Sequence, residues 1–191
     1  DLPKGIALDK KNGYVKKFLE LIEQWKKTTD NIYIWDYASN FDDYLTPLPV
    51  LYGLKKQLAF YKEQGVKGVF LNASGYDYSP FADVTSYVAA ALMMNCNLPV
   101  DSLCREYFSH YYPMSGEVVA DYYLSLEKKQ EESNKPYEIY AGFEKALNSY
   151  LDPTTFMDFY KYLEKNKDKA KEEEKEKLNK LFIGLSFTRL Q

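Results

Sequence analysis

One stretch, Ile32-Tyr33-Ile34-Trp35-Asp36-Tyr37, decides the fold. Its first four residues are apolar without alternation, and they are β-branched or aromatic, which favours a strand buried on both faces as in a parallel sheet. We therefore predict a strand over residues 32–37, with Trp35 in the core. A second run of this kind, over residues 66–72, predicts a second buried strand.

A helix is predicted between the two strands. After Val50, the apolar residues Leu51, Leu54, Leu58 and Tyr61 recur at helical spacing, and Gly65 is placed to end the helix in the left-handed conformation. Strand, helix and strand in this order predict a right-handed parallel βαβ unit. One such unit leaves unpaired strand edges, so we expect either a fragment of a larger α/β protein or edges covered by helices and a partner chain.

The rest of the chain carries helical patterns. Periodicity predicts helices over residues 13–28, 80–95, 115–132 and from Pro99 or Val100 to Tyr111, and a further helix that opens at Pro153. The charged run over residues 164–180 indicates a solvated helix face or the connection of a helical hairpin. Residues 133–152 remain unassigned. The predicted fold class is α/β and predominantly helical.

Composition narrows the classes of function. The net charge of -3 is too small for nucleic-acid binding, and no apolar run reaches the roughly 20 residues of a membrane-spanning helix. The 19 Tyr, 11 Phe and 2 Trp residues are the unusual feature. A tyrosine ring packs against apolar surface and keeps a polar tip in water, which suits sugar rings, although the same residues also suit ordinary helix packing.

Cofactor and metal motifs are not found in the sequence. It has no phosphate loop, no dinucleotide fingerprint and no zinc spacing, so we predict neither cofactor nor metal. The single histidine, His110, is expected on a helix as a surface or core residue. Cys96 and Cys104 are expected as two buried free thiols, with one bridge between neighbouring helices left open.

Polar residues follow both predicted strands. In parallel α/β folds, function collects at the carboxyl ends of the strands. A glycosidase needs two carboxylates, and Asp36 is the one placed directly at a strand end, so it is the catalytic candidate, with a structural hydrogen bond or cap as its alternative. The loops bring Tyr76, Tyr78 and Phe81 as stacking platforms, or as rings that pack over the strand ends. The predicted substrate-binding residues are Tyr37, Asn40, Asn72, Tyr76 and Tyr78.

Several strings together resemble a known family. They are residues 32–37, Pro47-Leu48-Pro49, Phe60-Tyr61-Lys62-Glu63, Gly65-Val66-Lys67-Gly68-Val69-Phe70, and the stretch from Ser86-Tyr87 to Tyr112. The family is a bacterial, glycoside-hydrolase-like domain of unknown function, common in polysaccharide-degrading gut Bacteroidetes. It resembles α-glucuronidases and hexosaminidases, which carry a (β/α)₈ barrel.

The resemblance implies an architecture and a function. Residues 1–95 would be the last βαβ units of a TIM-like barrel, and residues 96–191 a helical extension. The implied protein acts on or binds a glycan or oligosaccharide and is periplasmic, cell-surface or secreted. Family members often carry a glutamate after the second strand, where this chain has Leu71-Asn72, so the chain alone is expected to lack the complete catalytic pair. The alternative is a non-catalytic helical interaction module with a structural aromatic core.

Overall fold

A computed structural model describes residues 2–75 and 78–191, and helices dominate this part of the chain. The elements, in order, are α1 (Gly13–Lys26), β1 (Tyr33–Tyr37), α2 (Leu51–Glu63), β2 (Gly68–Asn72), α3 (Ala82–Met94), α4 (Val100–Tyr111), α5 (Gly116–Ser133), α6 (Phe143–Leu147), α7 (Pro153–Asn166) and α8 (Glu172–Leu190). The predicted class, α/β and predominantly helical, is confirmed.

The two strands form a parallel pair, as predicted. The register runs from Tyr33 opposite Gly68 to Tyr37 opposite Asn72, so both strands end at the same edge of the sheet. Within the described residues the sheet has two strands and is not a closed barrel. The ring of Tyr33 covers its glycine partner, because a Cβ atom at Gly68 would lie 3.0 Å from that ring.

The expectation that the strands are buried on both faces is wrong. Ile34, Val69 and Leu71 pack against the core, whereas Tyr33, Trp35 and Phe70 are exposed on the opposite face. Trp35 is 63% exposed, so its predicted place in the core is also wrong. The reason is physical: no element of the described residues covers that second face, and successive side chains of a strand point to opposite faces.

Most helix boundaries agree with the sequence pattern. Helix α1 begins after Asn12, whose side chain accepts a hydrogen bond from the backbone of Tyr14, and α7 begins at Pro153 after the capping residue Asp152. Gly65 is left-handed, with φ of +77°, where α2 ends. The charged run at residues 164–180 crosses a short 3-10 turn between α7 and α8, so it is the connection of a helical hairpin.

Two helices are capped by carboxylates from distant elements. Neither α2 nor α5 has a capping side chain of its own. Glu127 of α5 accepts hydrogen bonds from the backbone N–H groups of Leu51 (2.8 Å) and Tyr52 (3.0 Å). Glu174 of α8 likewise accepts from the N–H group of Ser115 (2.9 Å) at the start of α5. These bonds satisfy N–H groups that the helix leaves unpaired, and they fix how the helices are arranged.

One hydrophobic core joins the helices. The ring of Phe81 stacks on Tyr123 at 4.6 Å, and Tyr122 stacks on Phe159 at 3.9 Å. Cys104 is buried and Cys96 half-buried, and both are free thiols. The predicted division of the chain at residues 95 and 96 stays a prediction. None of the helices in the described ranges is long and apolar enough to cross a membrane.

Candidate functional site

The carboxyl ends of the two strands open into a cleft of about 690 Å³. One wall is formed by residues 38–40 after β1 and residues 72–75 after β2. The opposite walls come from the first turns of α3, from the α4 side chains Tyr107 and Phe108, and from Lys177 and Lys180 of α8. Because parallel strands end at the same edge, residues from both strand ends line this one space.

Asn72 and Tyr78 are predicted binding residues that line the cleft. The Asn72 side chain makes no hydrogen bond to any residue that the structure describes, and an amide carries two donors and an acceptor for a ligand. The Tyr78 ring lies against α8, where a Cβ atom on Gly184 would approach it to 2.9 Å. The Tyr78 side chain is 42% exposed. Partial desolvation of its hydroxyl, together with the nearby Asp83 carboxylate, raises its pKa, so the hydroxyl stays protonated and can donate.

Asn40 also borders the cleft, but its amide is already engaged. Its Nδ2 group donates to the carbonyl of Ala141 at 2.7 Å, and its Oδ1 atom accepts from the N–H groups of Ala141 at 3.0 Å and Asp42 at 3.2 Å. Asn40 therefore ties the loop after β1 to residue 141. Tyr37 does not line the cleft and lies edge-on to the ring of Phe41 at 5.8 Å. Tyr76 lies outside the described residues.

Asp36 lies outside the cleft, on the covered side of the sheet. It is only 1% exposed and forms an ion pair with Lys4. The Tyr61 hydroxyl donates to its Oδ2 atom at 2.8 Å, and the backbone N–H of Tyr37 donates to Oδ1 at 2.8 Å. Burial lowers the pKa of Lys4 to about 8, so the ammonium remains charged at neutral pH. Both carboxylate oxygens are occupied by protein groups.

Phe81, a candidate platform, borders the cleft, but its ring is buried and packs in the core. Its backbone is left-handed, with φ of +67°, immediately before α3. This backbone conformation is unfavourable for a residue with a bulky side chain. Strained residues of this kind are retained where surrounding contacts hold them, often beside functional sites. Stacking on Tyr123 fixes the ring. The turn at Phe81 directs the start of α3 along the cleft.

Besides Asp43 of the loop after β1, the cleft is lined by three charged residues that were not predicted from the sequence. Asp83 lies in the first turn of α3, and its charge contributes to raising the pKa of Tyr78 and of Tyr107, for both of which burial is the larger cause. Lys177 and Lys180 reach the cleft from α8. The two lysines belong to the run interpreted as solvated, and only the folding of α8 across the strand ends reveals their place.

The cleft offers neutral and charged hydrogen-bonding groups beside aromatic rings. An amide at Asn72, hydroxyls at Tyr78 and Tyr112, and a carboxylate at Asp83 face one space, with the Tyr107 ring beside them. This mixture suits a ligand with many hydroxyl groups. Among the residues that the structure describes, no group of three or more His, Cys, Asp or Glu side chains is arranged to hold a metal ion.

The comparisons with known proteins give one match. A family model described as "Domain of unknown function (DUF4838)" matches residues 4–124, well over half of the chain. No curated protein and no solved structure matches the chain. The match covers both strands and α1 to α4 and ends within α5, so α8, which carries Lys177 and Lys180, lies beyond it.

Proposed function

The chain belongs to the DUF4838 family of domains of unknown function, and we propose that it is a portion of a carbohydrate-active, glycoside-hydrolase-like protein that binds or acts on glycans. The proposed protein is periplasmic, cell-surface or secreted, as the family resemblance implies. The observation that carries the proposal is the cleft at the strand ends, where Asn72 and Tyr78 lie beside further tyrosines and Asp83.

The chemistry of the cleft supports a sugar over other small ligands. Pockets for sugars combine aromatic rings, which contact the C–H faces of the sugar, with a few fixed polar groups that select its hydroxyls. Tyr78 and Tyr107 bring both an aromatic ring and a hydroxyl. The Asn72 amide can donate to one sugar hydroxyl and accept from another.

Two roles are considered for Asp36, a catalytic one and a structural one. The catalytic role requires the carboxylate to meet the sugar. The buried network with Lys4, Tyr61 and the backbone of Tyr37 favours the structural role instead. Glycan turnover or binding by an Asp36→Asn variant decides between them: the structural role predicts unchanged glycan affinity in the folded fraction.

Titration of the chain with a panel of neutral and acidic oligosaccharides tests the glycan proposal. We expect wild-type protein to bind at least one glycan, and Asn72→Ala and Tyr78→Ala to weaken that binding while both variants remain folded at the temperature of the titration. The control is Tyr14→Ala, which removes an exposed ring of α1 that does not line the cleft. Equal affinity of wild type and both cleft variants would contradict the proposal.

A further part of the proposal concerns the open face of the sheet. Tyr33, Trp35 and Phe70 expose a contiguous aromatic surface there, with the rings of Trp35 and Phe70 4.6 Å apart. In a (β/α)₈ barrel one face of each strand meets helices and the other meets the barrel interior. We propose that further parallel strands of its own protein, or a second chain, cover this face and pair with the sheet edges.

Tryptophan fluorescence tests the covering of this face. Replacing Trp25 by Phe leaves Trp35 as the single tryptophan. In a longer polypeptide with further strand–helix units, we expect Trp35 emission to shift to shorter wavelength and iodide quenching to fall, because the indole leaves water. Identical emission and quenching in the short and long polypeptides would contradict the covering.

A helical interaction module with a structural aromatic core is the second candidate. The burial of Phe81, Tyr122 and Tyr123 in stacked pairs favours it, because these rings stabilise the core. This candidate predicts that no glycan of the panel binds. The same titration therefore separates the two functions.

A further inference from the structure

Four aromatic rings gather beside the cleft, at the carboxyl end of β1. The Phe41 ring lies at their centre, 5.8 Å from Tyr37, 5.9 Å from Tyr44 and 5.7 Å from Tyr140. We call these four residues the Phe41 cluster. Tyr140 is 61% exposed, and the other three rings are half-buried. The cluster is therefore a surface of rings and not part of the core.

Hydrogen bonds hold the backbone on both sides of Tyr140, the exposed residue of the cluster. The N–H group of Phe41 donates to the carbonyl of Ile139 at 2.7 Å, and Asn40 exchanges two hydrogen bonds with the backbone of Ala141. Tyr140 is thus fixed on both sides in the chain. Tyr137, three residues earlier, also pairs with the backbone of Lys4. A backbone held this way loses little freedom when a ligand contacts the ring it carries, which favours affinity.

The cluster is continuous with the cleft. Tyr44 belongs to both, because its ring contacts Phe41 and it lines the cleft together with Asn40. A ligand that fills the cleft beside Asn72 can extend past Tyr44 onto Phe41 and Tyr140. This path suits a chain of several rings and is longer than one small molecule needs.

The chemistry of the cluster selects neutral sugar rings. The rings contact the C–H face of a pyranose, while the hydroxyls of Tyr37, Tyr44 and Tyr140 can bond to its hydroxyl groups. Asp42 and Asp43 lie in the same loop as Phe41 and Tyr44, and their negative charge disfavours acidic substituents at the cluster. Lys177 and Lys180 lie in the cleft and not in the cluster. Lys4, whose Nζ atom lies 6.0 Å from the centre of the Tyr37 ring, is already paired with Asp36.

We infer that the Phe41 cluster is a stacking subsite for a neutral pyranose unit of an oligosaccharide whose other end occupies the cleft. The inference rests on the proposed glycan function and deepens it, since it names the ligand as a chain of several sugar units with a neutral unit at the Phe41 cluster. The subsite includes Tyr140, which lies beyond the part of the chain that the family model matches.

Calorimetric titrations with chains of two lengths test the subsite. The probes are cellohexaose, xylohexaose, mannohexaose and maltohexaose, their disaccharides, and hexagalacturonate as the acidic probe. For the hexasaccharide that wild type binds, Tyr140→Ala is expected to weaken affinity roughly fivefold to tenfold. Its disaccharide should bind both proteins equally. Tyr140→Phe, which keeps the ring and loses only the hydroxyl, should weaken the longer chain less than Tyr140→Ala does.

Tyr14→Ala is the matched control, because Tyr14 is 65% exposed and Tyr140 61%, and Tyr14 lies on α1. If Asn72→Ala weakens binding but Tyr140→Ala binds every probe like wild type, the subsite is overturned and the glycan function stands. If hexagalacturonate binds more tightly than every neutral hexasaccharide, the neutral selectivity is overturned. If no probe binds wild type, both the glycan function and the subsite are overturned.

Discussion

The two faces of the β1–β2 sheet differ although the same strands supply both. The covered face presents Ile34, Leu71 and Asp36 to the core and to Lys4, whereas the open face presents Tyr33, Trp35 and Phe70 to solvent. Strand geometry alone assigns each residue to its face. The difference shows that the position of a residue along the strand, and not its chemical type, determines whether it is buried. Asp36 is buried and Trp35 is exposed for this reason.

The comparison predicts its largest effect at Asp36. Replacing Asp36 by Ala leaves the buried Lys4 ammonium without its ion-pair partner and the Tyr61 hydroxyl without its acceptor. Breaking one side of a buried pair costs about 3–5 kcal/mol. Urea unfolding should show a loss of this size, against less than about 1 kcal/mol for Tyr33→Ala on the open face. Similar losses in the free energy of unfolding for the two variants would contradict the difference between the covered and the open face.

The next effect concerns Glu127, which anchors the start of α2. Burial raises the pKa of Glu127 from 4.5 to about 7. Between these values the folded protein holds a proton that the unfolded chain releases, so stability falls as pH rises. Relative to Glu127→Gln, wild type should lose roughly 3 kcal/mol between pH 4 and pH 8. Parallel stability curves for the two proteins would show that Glu127 is not protonated in the folded state.

A smaller effect is expected where α2 meets the N-terminal segment. A Cβ atom at Gly53 would lie 2.5 Å from the Cα atom of Gly5, and backbone cannot move aside cheaply. Gly53→Ala should therefore destabilise the protein by about 1–3 kcal/mol in urea unfolding. Gly13→Ala is the control, because nothing lies within 4 Å of a Cβ atom there. A neutral Gly53→Ala would show that α2 is not held closely against this segment.

The sequence predicts the helices and the parallel strand pair well, because periodicity and capping residues are local signals. Pro153 and Gly65 each mark a helix end that the structure confirms. The burial of the strands was predicted incorrectly, since an apolar run such as residues 32–35 cannot reveal whether a second layer covers it.

The candidate site was predictable only in part. Asn72 and Tyr78 line the cleft, as their position after a parallel strand predicts. Asn40 and Asp36 carry suitable groups, but distant residues engage them: Ala141 in one case, Lys4 in the other. Lys177 enters the cleft because α8 folds back over the strand ends, and no local pattern in the sequence reports that contact.

Side-chain NMR spectra of asparagine-labelled protein test the central claim, a glycan site at the strand ends, most directly. On titration with the tightest-binding oligosaccharide of the panel, we expect the Asn72 side-chain amide to shift in proportion to saturation. The amide of Asn166, at the end of α7 and away from the cleft lining, should stay in place. A saturating titration that leaves the Asn72 amide unmoved would contradict the assignment of the cleft as the glycan site.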